Sequence, residues 1–137
     1  IGQPSHILHI ANLPAKSDIN KLKDFLGGHK ITQIEIIGKQ RTCQAFVRCL
    51  SVDLACQILI DKHAQMFYGR EIKISFATRS HMPSDLVKKH GYHRSHSNSP
   101  TTIQTLTINH MDNNESINIT TTNAGLMDDN NNNNNNG

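Results

Sequence analysis

The sequence predicts an α+β fold: a ferredoxin-like split β-α-β sandwich in the order β-α-β-β-α-β, with a four-stranded antiparallel sheet, two helices on one face, and a disordered C-terminal tail. Three observations carry that expectation. Residues from Thr42 to Cys49 alternate strictly between small apolar and polar or aromatic side chains, the period of a strand. Ile19, Leu22 and Leu26 recur at helical spacing between two strand-like runs. Apolar periodicity is dense from Ile7 to Phe76 and fails beyond Pro83.

The elements follow in order. Ile7 to Ile10 reads as a strand that Pro14 terminates, because proline cannot donate to a ladder. Ser17 stands where a helix N-cap is needed, with Asp18 in the first turn, and Gly27-Gly28 stops the helix. Ile31 to Ile37 is rich in β-branched residues and reads as the second strand, with Ile34 and Ile36 on one face and Gln33, Glu35 and Ile37 on the other. The short basic turn Gly38-Lys39-Gln40-Arg41 leads into the third strand, where Cys43, Ala45, Val47 and Cys49 share the core face and Thr42, Gln44, Phe46 and Arg48 the other. Ser51 caps a second helix whose buried face is read as Val52, Ala55 and Leu59, widened by Ile58. Phe67-Tyr68 packs the loop before Gly69, and the last strand points Ile72, Ile74 and Phe76 inward and Lys73 and Ser75 outward.

Two helices cover one face of such a sheet, so the other is left open to a partner. The folded domain is placed at residues 5–80 and the disordered tail at 81–137, where Ser, Thr, Asn and His dominate and the chain ends in a run from Asn130 to Asn136. A turn of helix over Ser84 to Lys89 would gate the open face if it lay across it. Ile1 opens the chain without a basic or apolar leader, so the sequence reads as a fragment of a longer protein, and its apolar runs are far too short to span a bilayer.

Charge is distributed unevenly. Residues 1–80 carry 11 Lys/Arg against 6 Asp/Glu, and residues 81–137 carry 3 against 5, so the domain is +5 and the tail −2. A basic small domain points mildly to a polyanionic partner. Three cysteines without C-x-x-C spacing argue against a disulfide framework and a four-cysteine metal site, and for a reducing compartment. The recurring His90, His93 and His96 lie in the tail among Gly and Ser, so no metal or cofactor is expected. By strand parity Cys43 and Cys49 face the core while His9 faces out, so no nucleophile–base pair forms and an enzyme is not expected. Lys88-Lys89 with His90 and Arg94 is too sparse a cluster to count as a nuclear signal.

Two segments carry a resemblance to a known family. Leu8-His9-Ile10-Ala11-Asn12-Leu13 resembles the first ribonucleoprotein motif of RNA-recognition motifs, with His9 where an aromatic usually stands. Thr42 to Cys49 resembles the second, in which Ala45, Phe46 and Val47 match and Thr42 replaces a Lys or Arg. Within that family, the polypyrimidine-tract-binding and hnRNP L type is most similar, through His9-Ile10, Leu13-Pro14, Gln44-Ala45-Phe46 and Gly69-Arg70. The resemblance implies binding of short pyrimidine-rich single-stranded RNA, a part in mRNA processing or splicing, and a nuclear location with shuttling to the cytoplasm as an option.

The residues agree with that implication. His9 and Phe46 would form a platform on which bases stack, and Gln44, both donor and acceptor, suits a pyrimidine edge. Arg48, Lys73, Lys39 and Arg41 would contact phosphates, Ser75 shares their face, and Thr78 to His81 would add backbone contacts. Phe46 has a second reading, packing beneath the C-terminal segment, and His9 has one as an ordinary exposed strand residue. The competing function is a degenerate module that binds a protein partner, or other domains of the same parent, on its helical face. The basic residues Lys21 and Lys23 on the first helix count against it.

Overall fold

The computed structural model describes residues 3–38, 42–78, 81–85, 101–111 and 114–124. Among these, strand β1 (Ile7–Pro14), helix α1 (Ile19–Leu26), strands β2 (Ile31–Gly38) and β3 (Thr42–Cys49) and helix α2 (Val52–Lys62) appear in the expected order. A hairpin of β4 (Met66–Phe67) and β5 (Arg70–Glu71) then precedes β6 (Lys73–Phe76). Two further strands, β7 (Thr101–Met111) and β8 (Asn114–Ala124), follow. The main sheet is antiparallel throughout, with order β6-β1-β3-β2-β7-β8. The ferredoxin-like α+β core is thus present, with both helices packed on one face.

The sheet is wider than four strands. Residues 101–111 and 114–124, which composition assigns to a disordered tail, form a hairpin that pairs with β2 from Gln33↔Thr107 to Gly38↔Thr102. The physical reason lies in side-chain type. These segments are poor in charge and rich in Thr and Ile, whose branched Cβ suits a pleated surface. Leu106 and Ile108, two apart, insert into the same core as Ile34 and Leu26. The β2 edge, which would otherwise expose its N–H and C=O groups, is paired in consequence. The His110 ring Nε2 lies 2.7 Å from the Ile31 carbonyl, and Nδ1 lies 3.5 Å from Glu115, which ties the hairpin to the start of β2.

Several local expectations shift. The strand β1 continues through Pro14 by way of an irregularity between Ile10 and Leu13, where Asn12 sits at φ 69°. Asp18, not Ser17, caps α1: its carboxylate accepts from the backbone N–H of Asn20 (2.8 Å) and Lys21 (3.1 Å), while Ser17 Oγ donates to the Pro14 carbonyl. Carboxylate acceptance at an N-cap satisfies donors that have no helical partner, so Asp18→Ala is expected to lower stability by about 1 kcal/mol in a denaturant melt. Ser51 caps α2 as expected, accepting from Leu54 N–H. The buried face of α2 centres on Ala55 and Ile58 with Leu59 beside them, and Val52, at the solvent end, is exposed.

The β4–β5 hairpin turns through Tyr68 (φ 46°) and Gly69 (φ 87°), the two positive φ angles of a type I′ turn. Phe67 is buried with its ring 5.2 Å from that of Phe25, and Tyr68 is exposed. Arg70 donates to both Oδ1 and the carbonyl of Asn12, and the Asn12 amide donates to the Glu71 carbonyl at 2.8 Å. Arg70 therefore fastens the hairpin to the β1 irregularity.

Candidate nucleic-acid interface

The face away from the helices is built from alternate residues of the central strands. Register sets His9 of β1 opposite Phe46 of β3, Phe46 opposite Glu35 of β2, and Glu35 opposite Thr105 of β7. Ser75 of β6 flanks His9 on the other side, and Lys73 lies two residues away on the same face. The candidates His9, Gln44, Phe46, Arg48, Lys73 and Ser75 therefore share one surface, as strand parity predicts. Lys39 and Arg41 lie outside the described residues, as do the histidines at 90, 93 and 96, Lys88, Lys89, Arg94, and the Asn run.

At its centre the His9 ring lies 4.9 Å from that of Phe46 at 42°, and His9 Nε2 is 2.7 Å from Gln44 Oε1. These residues line a concavity of about 410 Å³ together with Ile37, Ser75, Phe76, Ala77 and Thr78. Gln44 is exposed and His9 half-buried, so one edge of the platform is reachable from solvent.

The other edge is covered. Phe46 is only 7% exposed and packs with Ile7, Ala77 and Met82, with Ile37 at the margin, in a small second core on the face opposite the helices. This matches its second reading, in which the ring lies beneath the segment after the last strand. Glu35, at 0% exposed, accepts from the backbone N–H of Ser84 at 2.8 Å, from the Ser84 hydroxyl, and from the Gln33 amide at 2.7 Å. Residues 83–85 are helical, the part of the anticipated turn that is described. Asp85 Oδ2 lies 3.7 Å from the Arg48 guanidinium, whose Nε is buried without a hydrogen-bond partner among the described residues. Lys73 likewise sits 3.8 Å from Glu71, so both described cations of the face have a carboxylate neighbour.

Sequence reasoning missed Glu35 and Met82 as participants. Glu35 was findable: a carboxylate on the outward face of β2, directly across from an aromatic, has to acquire hydrogen-bond donors if anything covers that ring. Met82 was not, because its contact with Phe46 spans the chain and follows no local pattern. Cys43 and Cys49 face the main core, and burial pushes the Cys49 thiol up to about 12, against an opposing pull from Lys30, so it stays neutral and unreactive.

No family model matches this chain, and no curated protein does. Among solved structures it is similar to the C-terminal RNA recognition motif of the U11/U12 65K protein, with 18% identity and TM-score 0.50, covering 58% of this chain and 74% of that one. It is also similar to the Rna15 RRM with bound RNA (GU), with 12% identity and TM-score 0.53, covering 65% of this chain and all of that one. The likeness is one of fold: the chain has the fold of RNA-recognition motifs.

Proposed function

We propose that this chain is a single-stranded RNA-binding module, pyrimidine-preferring, that serves mRNA processing or splicing in the nucleus. The observation that carries the reading is the His9–Gln44–Phe46 cluster, a flat ring beside an amide on the face that the helices leave uncovered. An imidazole offers a surface on which a base stacks, and a glutamine amide pairs with the mixed donors and acceptors of a pyrimidine edge. Arg48 and the exposed Lys73, on the same face, would contact phosphates in exchange for their carboxylate neighbours Asp85 and Glu71, contacts that position a strand without reading it. The similar Rna15 domain is one whose structure holds RNA. A face with few stacking rings predicts modest affinity, raised when companion domains of a parent protein supply effective concentration.

The test is a titration of nitrogen-15-labelled protein with short U/C-rich and A-rich RNAs. Shifts are expected at His9, Gln44, Lys73 and Ser75, larger for the U/C-rich strand. His9→Ala removes one stack, worth about 1 to 3 kcal/mol, and is expected to weaken binding roughly tenfold. Equal shifts with both RNAs would remove the pyrimidine preference. A silent sheet at millimolar RNA would overturn the reading and direct attention to a protein partner on the helices, where Val52 and Ile60 of α2 are exposed.

A further inference from the structure

We propose that the outer edge of β8 is a self-association surface, which takes β8 of a second copy of this chain antiparallel to itself and joins the two sheets. β8 is the last strand in the sheet order, so among the described residues nothing pairs with its outer edge. It is an edge of the kind that invites pairing: 11 residues from Asn114 to Ala124, in unbroken register with β7, with no proline or lysine and one charge, Glu115. The opposite edge of the sheet is defended. β6 is 4 residues long, carries the exposed Lys73, and its Ile74 N–H already donates to the His63 ring at 3.0 Å. A single open edge closes into a symmetric pair instead of growing into a filament.

The side chains of β8 select its own copy as the occupant. A cross-strand row on the helix side of the sheet runs through Leu8, Val47, Ile34, Leu106 and Ile119. The first four are wholly buried, whereas Ile119 at the edge is 39% exposed and Ile117 beside it 42%. The core therefore runs out to the sheet edge with its last side chains uncovered. Two antiparallel copies of β8 overlap fully in one register, the one centred on Ile119. In it Ile119 meets the partner's Ile119 and Ile117 meets the partner's Thr121, so Ile117 and Ile119 of both copies form one apolar strip that continues the row. On the other face Asn118 meets the partner's Thr120 and Ser116 the partner's Thr122, with no charge opposed to a like charge. The two Glu115 fall at opposite ends of the strand pair, whereas parallel in-register pairing would set them side by side. No residue of the His9–Gln44–Phe46 cluster takes part, so pairing and RNA binding are separable.

The test is sedimentation equilibrium of the full chain over a dilution series, with mass read against the 15.3 kDa protomer. A reversible monomer–dimer equilibrium is expected. Ile119→Lys and Ile119→Glu each set like charges against one another at the centre of the pairing, and each is expected to weaken self-association about tenfold or more. An equimolar mixture of the two variants is expected to recover the dimer, because the register then sets an ammonium against a carboxylate. A substitution that merely damaged the hairpin would not be rescued in this way. Thermal melts check that each variant stays folded, and hydrogen exchange in the wild type supplies a measurement that needs no variant: protection of β8 amides is expected to rise with protein concentration. A wild-type chain that stays monomeric throughout, with β8 protection independent of concentration, would overturn the proposal and leave the edge to residues 125–137 or to a strand of another protein. Association that the folded single variants retain in full, or that their mixture fails to restore, would overturn it as well and place the contact on another surface.

Discussion

Leu106→Ala is expected to lower stability by about 3 kcal/mol, within the range for a fully buried leucine whose cavity is only partly refilled. Leu106 has no exposed surface, pairs with Ile34, and belongs to the core formed by both helices and the central strands. A loss of that size moves a denaturant midpoint clearly and a melting temperature by several degrees. The control is one strand away. Ile117 of β8 lies on the same side of the sheet, across from Ile108, but is 42% exposed because it lies beyond the cover of the helices. Ile117→Thr keeps the branched Cβ and is expected to change stability by no more than about 0.5 kcal/mol. If the two substitutions have equal and negligible effects, β7 is not part of the core.

That contrast also locates what was legible in the sequence. The six elements from Ile7 to Phe76 announce themselves through local period, as in Cys43, Ala45, Val47 and Cys49 at spacing two, or Ile19, Leu22 and Leu26 along one helical face. The hairpin of β7 and β8 does not, because its polar residues are hydroxyls and amides of the kind that composition equates with disorder, while Leu106 and Ile108 supply a short apolar alternation. Their burial depends on an unpaired β2 edge roughly seventy residues earlier. The helix cap shows the same limit at small scale. Ser17 and Asp18 are adjacent and chemically equivalent as caps, and only the backbone path after Pro14 decides between them.

The candidate site divides along the same line. Strand parity alone puts His9, Gln44, Phe46, Arg48, Lys73 and Ser75 on one face, because a strand leaves no freedom about which side a residue takes. Accessibility is a different property. Whether Phe46 meets solvent depends on Met82, and whether Arg48 has a free charge depends on Asp85, and both contacts are tertiary.

Phe46 is where the two properties collide, and its substitution is expected to have the second large effect. Phe46→Ala empties the centre of the small core shared with Ile7, Ala77 and Met82, and a loss of about 3 kcal/mol is expected from the cavity and the lost contacts. It also removes the ring beside His9, and with it a stack worth about 1 to 3 kcal/mol of RNA binding, so affinity is expected to fall tenfold or more. The two losses are separable with Phe46→Leu. Leucine keeps an apolar side chain beneath Met82 at a cost of about 1.5 kcal/mol or less, yet has no π-face to offer a base. Stability near wild type with RNA affinity reduced as far as in Phe46→Ala would assign the ring to recognition. Full affinity in Phe46→Leu would assign it to support of Met82 alone, and would move the reading of the base to the His9–Gln44 pair, which lines the open concavity.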